Sequence, residues 1–192
     1  MVGVVTRCLA VAAVAAATIL HGLGQARADV VSFLPWCVRS QCSESISVSL
    51  ALPKGWEARV GKSPRTVMVV LKGRCLYCGD GPAIEVEAEA DPGNRSLAEF
   101  ADQLQGRWRA NIPDGKMTRE PDIARAEGRE SIQLYRIERR DHGRFERLAV
   151  TRETDGRGNT FFISIVLAAE SRRELSTGSS AFLAILQRLA LV

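Results

Sequence analysis

Histidine is nearly absent from this chain: among 192 residues, His21 and His142 are the two histidines. His21 belongs to an N-terminal leader, so the rest of the chain has one. Serine–histidine–aspartate triads, cysteine–histidine pairs and multi-histidine metal sites would all depend on His142. That residue follows Asp141 and precedes Gly143 at a predicted hairpin tip. A solvated turn residue is a more common role there than a proton shuttle or a metal ligand. This scarcity argues against a hydrolase, and we expect a protein that is not an enzyme.

Long apolar runs are also missing. A membrane-spanning helix needs about 20 apolar residues, whereas the apolar run at residues 9–20 has 12. Arg7 precedes this run and Ala26-Arg27-Ala28 follows it, which is the pattern of a secretory signal peptide. We therefore expect residues 1–28 to be a signal peptide cleaved near Ala28. The mature protein would be periplasmic or secreted, with no transmembrane segment.

The chain has little excess charge of either sign. Its formal net charge is +4, and removing Arg7 and Arg27 with the leader lowers this to +2. Such a small charge does not indicate a nucleic-acid partner. Internal repeats and low-complexity segments are absent after the leader. The remaining length suits one domain, which we place at residues 46–192 after an irregular lead-in at 29–45.

The chain has five cysteines, and Cys8 lies in the leader. The other four are Cys37, Cys42, Cys75 and Cys78. An even number of cysteines in an exported chain favours structural disulfides. Three pairings remain open, because loop entropy favours bridges across the longer loop whereas turn residues around the second pair also permit local bridges.

Two alternatives use the same cysteines. Cys75-Leu76-Tyr77-Cys78 is a C-x-x-C motif, as in thiol–disulfide oxidoreductases, but those proteins place it at a helix N-terminus. Here Gly79-Asp80-Gly81-Pro82 follows and no helical pattern begins. All four thiols together can instead hold tetrahedral zinc, although an oxidising compartment competes with that. A redox protein and a zinc-stabilised module are therefore the alternatives, and no cofactor is predicted in the main interpretation.

Apolar periodicity predicts strands and two helices. Ile84, Val86, Ala88 and Ala90 alternate with glutamates, which is typical of a half-buried strand. Further strands are predicted at residues 46–52, 66–71, 131–140, 144–153 and 160–168, with a short one within 116–127. Ser96-Leu97-Ala98-Glu99 is a capping box that begins a helix ending near Asn111. A second helix begins at about Ser176. Tight loops between strands favour antiparallel pairing.

The predicted fold class is therefore α+β. It consists of a mainly antiparallel sheet covered by two amphipathic helices, which makes a sandwich.

Two groups of charged residues are candidate binding sites. Glu85, Glu87 and Glu89 share one face of a strand, where they can bind a cation or a basic partner, or form a solvated face paired with arginines. The second group is an arginine-rich hairpin that can dock an acidic partner or anionic head groups. Its members are Arg136, Arg139, Arg140, Arg144 and Arg147. Pairing with Glu138 and Glu146 explains these arginines equally well.

Three short motifs carry a family resemblance. They are Leu52-Pro53-Lys54-Gly55-Trp56 after the opening strand, the Ser96-Leu97-Ala98-Glu99 helix start, and Phe182, Ile185, Leu186 and Leu189 in the closing helix. In this order the chain resembles the fold shared by the PsbP extrinsic proteins of photosystem II, the Mog family of Ran-binding proteins and bacterial periplasmic DcrB-like proteins. The resemblance covers residues 45–192.

The resemblance has a functional implication. Members of these families chiefly bind other proteins and share no catalytic apparatus. Together with the leader and the lack of catalytic groups, it leads us to expect an exported, non-enzymatic binding or accessory protein. We expect it to bind another envelope protein through the exposed face of the sheet or the arginine hairpin.

Overall fold

The computed structural model describes residues 27–36, 44–73, 81–91, 93, 95–113, 115–125, 129–139 and 144–192. These residues form ten strands and two helices. In chain order the elements are β1 (Arg27–Phe33), β2 (Ile46–Leu52), β3 (Trp56–Val60), β4 (Thr66–Leu71), β5 (Ala83–Ala90), α1 (Leu97–Asn111), β6 (Lys116–Ile123), β7 (Ile132–Glu138), β8 (Phe145–Thr154), β9 (Thr160–Ala169), α2 (Arg172–Arg188) and β10 (Ala190–Leu191). The predicted α+β class is confirmed.

The central layer is a seven-stranded sheet in the order β3-β4-β5-β9-β8-β7-β6. Every neighbouring pair in it is antiparallel. A smaller sheet, β1-β2-β10, is also antiparallel. The mainly antiparallel arrangement predicted from the short loops is therefore confirmed.

The two helices lie on opposite faces of the large sheet. Because side chains alternate along a strand, β9 contributes side chains to the cores on both faces of the sheet. Its Ile163 and Ile165 pack with α2 and β2 in the main core, whereas its Phe162 packs with α1 in a second core. The predicted sandwich thus has three layers, with α1 on one side and α2 together with the small sheet on the other.

Helix α1 begins as predicted. The Ser96 hydroxyl accepts a hydrogen bond from the Glu99 backbone N–H at 3.2 Å, and the Glu99 carboxylate accepts one from the Ser96 N–H at 2.7 Å. This is a complete capping box. The helix is held on the sheet by Phe100, whose ring stacks on Phe162 with centroids 4.2 Å apart.

Helix α2 begins four residues earlier than the sequence predicts. Ser171 caps it, with its hydroxyl accepting from the Glu174 N–H at 3.2 Å. The polar first turn hides this start, because apolar periodicity becomes visible only from Phe182 onward. Gly178 is buried where the helix crosses the sheet, and a Cβ added there would lie 2.6 Å from Leu167 and 2.9 Å from Pro82.

Three strands were not predicted. The segment interpreted as an irregular lead-in contains β1, which pairs along its whole length with β2. Exposed Val30 interrupts the apolar alternation that would have marked this strand, although Phe33 is buried. Strand β3 follows the predicted turn at Gly55, and β10 has two residues. Both depend on pairing with a neighbouring strand, which short-range pattern does not reveal.

Candidate functional site: a groove between helix α1 and strand β5

The three glutamates of β5 lie on the face of the sheet that carries α1. Glu85, Glu87 and Glu89 are opposite Val166, Ser164 and Phe162 of β9 in register. Their burial alternates with that of the fully buried Ile84, Val86 and Ala88. The predicted strand with one acidic face is confirmed. Since α1 covers mainly β7, β8 and β9, a groove remains between the helix and this acidic row.

Glu89 is the acid nearest the helix, and two arginines neutralise it. Arg95, just before the helix, donates from Nη2 to Glu89 Oε1 at 2.9 Å. Arg107, three turns along α1, donates to Glu89 Oε2 from Nη2 at 3.3 Å. Arg95 also pairs with the buried carboxylate of Asp91 at 3.1 Å. Burial works to lower the pKa of Arg95, but its bonds to Glu89 and Asp91 together outweigh burial and raise the pKa above its ordinary value.

Glu87 is held differently. Its Oε1 accepts a hydrogen bond from the hydroxyl of Thr66 at 3.2 Å, across the β4–β5 pair. No ion pair to Glu87 or Glu85 is found among the residues that the structure describes. Burial raises the pKa of Glu85, and the negative charge of Glu87 raises it further. Glu85 and Glu87 thus form the part of the acidic row that has no ion pair within the described residues, although the charge of Arg144 acts on Glu85 in the opposite sense.

Trp36 closes one end of the groove. Its backbone N–H donates to Ala88 O at 2.6 Å, and its carbonyl accepts from the Ala90 N–H at 2.8 Å. The residue thus lies beside the end of β5, past the last pairing with β4. The Arg65 guanidinium lies over the indole, 4.8 Å from the ring centroid. Although it is fixed in this way, Trp36 is 45% exposed.

These residues enclose a pocket of about 480 Å³. The size is within the usual range for sites that hold small molecules or side chains. Four kinds of group meet in it: apolar groups, carboxylates, one arginine and one serine hydroxyl. The lining residues are Trp36, Glu87, Ala88, Glu89, Phe100, Leu104, Arg107 and Ser164.

The chemistry of this lining suits binding. Trp36 and Leu104 offer apolar contact above the buried Phe100, and Glu87 offers a charged acceptor. Ser164 is the hydroxyl in the pocket, and the described ranges place no histidine beside it. Within those same ranges no group of three or more acidic, histidine or cysteine side chains could hold a metal ion.

The structure separates the predicted arginine cluster. Arg136 and Arg147 lie on the α2 side of the sheet and share Glu120, at 3.8 and 2.6 Å. Arg139 and Arg144 lie toward the α1 side and share the buried Glu146, at 3.8 and 3.3 Å. Arg140 falls outside the described residues. Each described arginine of the hairpin thus has an acidic neighbour, and the four do not form one surface.

Other predicted site residues cannot be placed. Cys37 and Cys42 lie at residues 37–43, and Cys75 and Cys78 lie at residues 74–80, both outside the described residues. His142 is also outside them. The predicted disulfides, the C-x-x-C motif and the zinc alternative therefore remain predictions.

Sequence reasoning missed the helix side of the groove. Phe100, Leu104 and Arg107 follow one another at spacings of four and three, so they share one face of α1. On this face an arginine, Arg107, takes the place where the next apolar residue would be. That change from apolar to charged was an available signal that the face borders a polar groove. Trp36 gave no such signal, because its exposure depends on a backbone pairing with β5 that is remote in sequence.

Comparison with known proteins agrees with this architecture. No protein-family model matches the sequence, and no curated protein matches it. Among solved structures the chain is similar to LpqN, a protein involved in cell envelope biogenesis of Mycobacterium tuberculosis. The two superpose with a TM-score of 0.59 and 15% identity, over 85% of this chain and 91% of LpqN. The chain therefore has the fold of LpqN.

Two structures of Mog1 are also similar. The Ran-binding protein Mog1p of Saccharomyces cerevisiae gives a TM-score of 0.48 at 11% identity, over 85% of this chain and 95% of Mog1p. A Mog1 mutant gives 0.46 at 12% identity, over 74% and 89%. The Mog family is one that the sequence motifs resemble. Neither helix in the described part of the chain is long and apolar enough to cross a membrane.

Proposed function

We propose that this chain is an exported accessory protein of the cell envelope that acts by binding another envelope protein in the α1–β5 groove. The observation that carries the proposal is Trp36, a large aromatic ring that two backbone hydrogen bonds hold half-exposed beside an open pocket. Exposed aromatic side chains on a rigid support are typical of binding surfaces, because they bring contact area at little cost in conformational entropy.

Two further observations support the proposed location in the cell envelope. The leader pattern at residues 1–28 favours export. The fold is that of LpqN, which is involved in cell envelope biogenesis. Fold alone does not specify function, so the proposal depends on the groove and the leader together.

Photo-crosslinking in the cells that make the protein tests the binding role. A photoreactive phenylalanine at position 107 would lie in the groove, because Arg107 lines it. The same residue at position 109 is the matched control: Arg109 is also exposed on α1 but does not line the pocket. We expect a discrete crosslinked species from position 107, identified by mass spectrometry as an envelope protein, and none from position 109.

A second substitution makes this test specific. Trp36→Ala in the position-107 protein should abolish the crosslink while the protein stays folded, as checked by circular dichroism. Equal crosslinking from both positions, or a crosslink that survives Trp36→Ala, would show that the groove is not the binding site.

A further inference from the structure

We propose that the group entering the groove is a lysine or arginine side chain of the partner protein. In this arrangement Glu87 pairs with the cationic head and Trp36 packs against the methylene stem. The inference rests on the proposed function, since it names the chemistry of the partner at the same site.

The charges of the pocket lead to this proposal. Three charged side chains line it, and Arg107 and Glu89 are already paired with each other at 3.3 Å. Glu87 has only the hydroxyl of Thr66. Within the described part of the chain, Glu87 is therefore the lining carboxylate without a cationic partner. A charge-assisted hydrogen bond to a lysine or arginine would satisfy it, and such bonds are about twice as strong as neutral ones.

The carboxylate of Glu87 is also positioned in advance. Thr66 is 6% exposed, and its hydroxyl fixes one oxygen of Glu87 from the neighbouring strand. The backbone of Glu87 is in the interior of the sheet, paired on both sides with β4 and β9. Binding therefore costs less conformational entropy, because the Glu87 side chain is already held before a partner arrives.

The apolar part of the groove fits the rest of such a side chain. Lysine and arginine bury their methylene stems against apolar surface while the charged head remains in a polar environment. The Arg65 guanidinium covers part of the Trp36 ring. The part of the ring that stays exposed provides that surface beside Glu87, together with the half-buried Leu104. A pocket of about 480 Å³ holds a long side chain together with part of the backbone that carries it.

An acidic side chain in the groove would lie next to carboxylates. It would approach Glu87 and, one step along β5, Glu85, whose pKa is already raised by burial and by the charge of Glu87. Arg107 would have to give up its bonds to Glu89 to compensate. Arg65 over the Trp36 ring and Arg144 near Glu85 are the opposing charges. The carboxylate that lines the pocket without an ion pair among the described residues is Glu87, and that carboxylate favours a basic side chain over an acidic one.

The test uses the purified mature chain and three acetylated, amidated tripeptides: Ala-Arg-Ala, Ala-Glu-Ala, and an analogue with citrulline in place of arginine. Citrulline keeps the shape of arginine and removes its charge. Binding is followed by NMR at the indole N–H of Trp36 and by calorimetry. We expect the arginine peptide to bind at least about tenfold more tightly than the citrulline peptide, and to weaken as salt is added. The glutamate peptide should show no binding.

Two substitutions locate the contact. Glu87→Gln should weaken binding of the arginine peptide about tenfold, because it removes the charge and keeps the shape. Glu138→Gln is the matched control, since Glu138 is 44% exposed and pairs with Arg172 on the α2 side of the sheet. Equal binding of the arginine and citrulline peptides would overturn the proposal, and so would an equal effect of the two substitutions. The peptide comparison uses the unmodified protein, so it does not depend on how any variant folds.

The nature of the occupant is tested separately. Putrescine, a small diamine, should bind more weakly than the arginine peptide, because it lacks the peptide backbone. If putrescine bound as tightly, the occupant would be a free organic cation and the proposal of a protein side chain would fail. A crosslink from position 107 without arginine-peptide binding would overturn this inference alone. Peptide binding without any crosslink in cells would overturn the proposed function.

Discussion

Arg125 donates from Nη2 to the carbonyl oxygen of Leu189 at 2.6 Å, which ties the loop after β6 to the C-cap of helix α2. The Arg125 side chain is 1% exposed and also forms an ion pair with Glu153 of β8. Arg129 donates to the same carbonyl at 3.0 Å. A buried cation thus satisfies an acceptor at the end of α2 that the helix itself leaves open.

Arg125→Met should be among the more destabilising substitutions in the chain. It would leave Glu153, 7% exposed, with Arg129 at 3.5 Å as its remaining cation. Breaking a buried ion pair by removing one partner costs about 3 kcal/mol or more. Urea denaturation should show this loss in the free energy of unfolding, whereas Arg109→Met on the exposed side of α1 should change it by about 0.5 kcal/mol or less.

The double variant Arg125→Met/Glu153→Leu checks the cause. It should recover much of the lost stability, because no unpaired buried charge remains. A single variant as stable as Arg109→Met would show that the buried pair does not matter for folding.

Two glycine substitutions should have opposite effects. Gly178→Ala places a methyl group 2.9 Å from the ring carbon Cβ of Pro82 and 2.6 Å from a Leu167 methyl. Forcing α2 away from the sheet should cost about 1–3 kcal/mol. Gly106→Ala, in the middle of α1 with nothing within 4 Å, should instead stabilise the protein by roughly 0.5–1 kcal/mol. Thermal denaturation of the two variants measures both effects, and a shift of the same sign in both would contradict the close helix–sheet contact.

Glu85→Gln should change how stability depends on pH. Burial, and then Glu87, raises the pKa of Glu85 above the ordinary value of 4.5 in the folded chain. The folded state therefore holds the proton more tightly than the unfolded state does. Its stability accordingly falls as pH rises from about 4.5 through the raised pKa. Because glutamine does not titrate, the variant should gain stability relative to the unmodified protein between about pH 4 and pH 7.

Urea denaturation of both proteins at about pH 4 and about pH 7 tests this prediction. Glu138→Gln, which removes a more exposed carboxylate on the other side of the sheet, is the control and should show a smaller change. A stability difference for Glu85→Gln that stays constant between the two pH values would contradict the prediction.

Intact-mass measurement of the unreduced mature protein tests the leader and the cysteines together. We expect a chain that begins at Asp29, which would leave five residues of β1 to pair with β2. We also expect Cys37, Cys42, Cys75 and Cys78 to resist alkylation until they are reduced. Four reactive thiols with bound zinc would favour the zinc-stabilised module. A Cys75–Cys78 pair that exchanges readily with a glutathione buffer would favour the redox alternative.

The regular elements were predictable where one face of an element is apolar and the other polar. The alternation from Ile84 to Ala90 predicted β5 and its acidic face, and the Ser96–Glu99 box predicted the first residue of α1. The start of α2 was placed too late, because its first turn is polar and only the Ser171 cap marks it. Strands β1 and β3 were missed because each depends on pairing with a partner strand.

The candidate site was predictable only in part. The sequence identified the glutamates of β5, and it grouped the arginines of the β7–β8 hairpin as one cluster. Which of these charges are neutralised depends on distances across the sheet. Arg107 reaches Glu89 from a helix 18 residues away, and Arg136 and Arg144 point to opposite faces because their positions in the pleat differ. Local pattern carries no information on such pairs.

The amino-acid order by itself determined the α+β class, the antiparallel pairing and the two amphipathic helices, because period-two and period-3.6 patterns, caps and turns are local properties. The tertiary structure alone decided that the helices lie on opposite faces of the sheet and that α1 leaves part of β5 uncovered. It also decided that Trp36 closes the resulting groove. These features depend on where side chains remote in sequence find room to pack. That is a property of the whole core and not of any one segment.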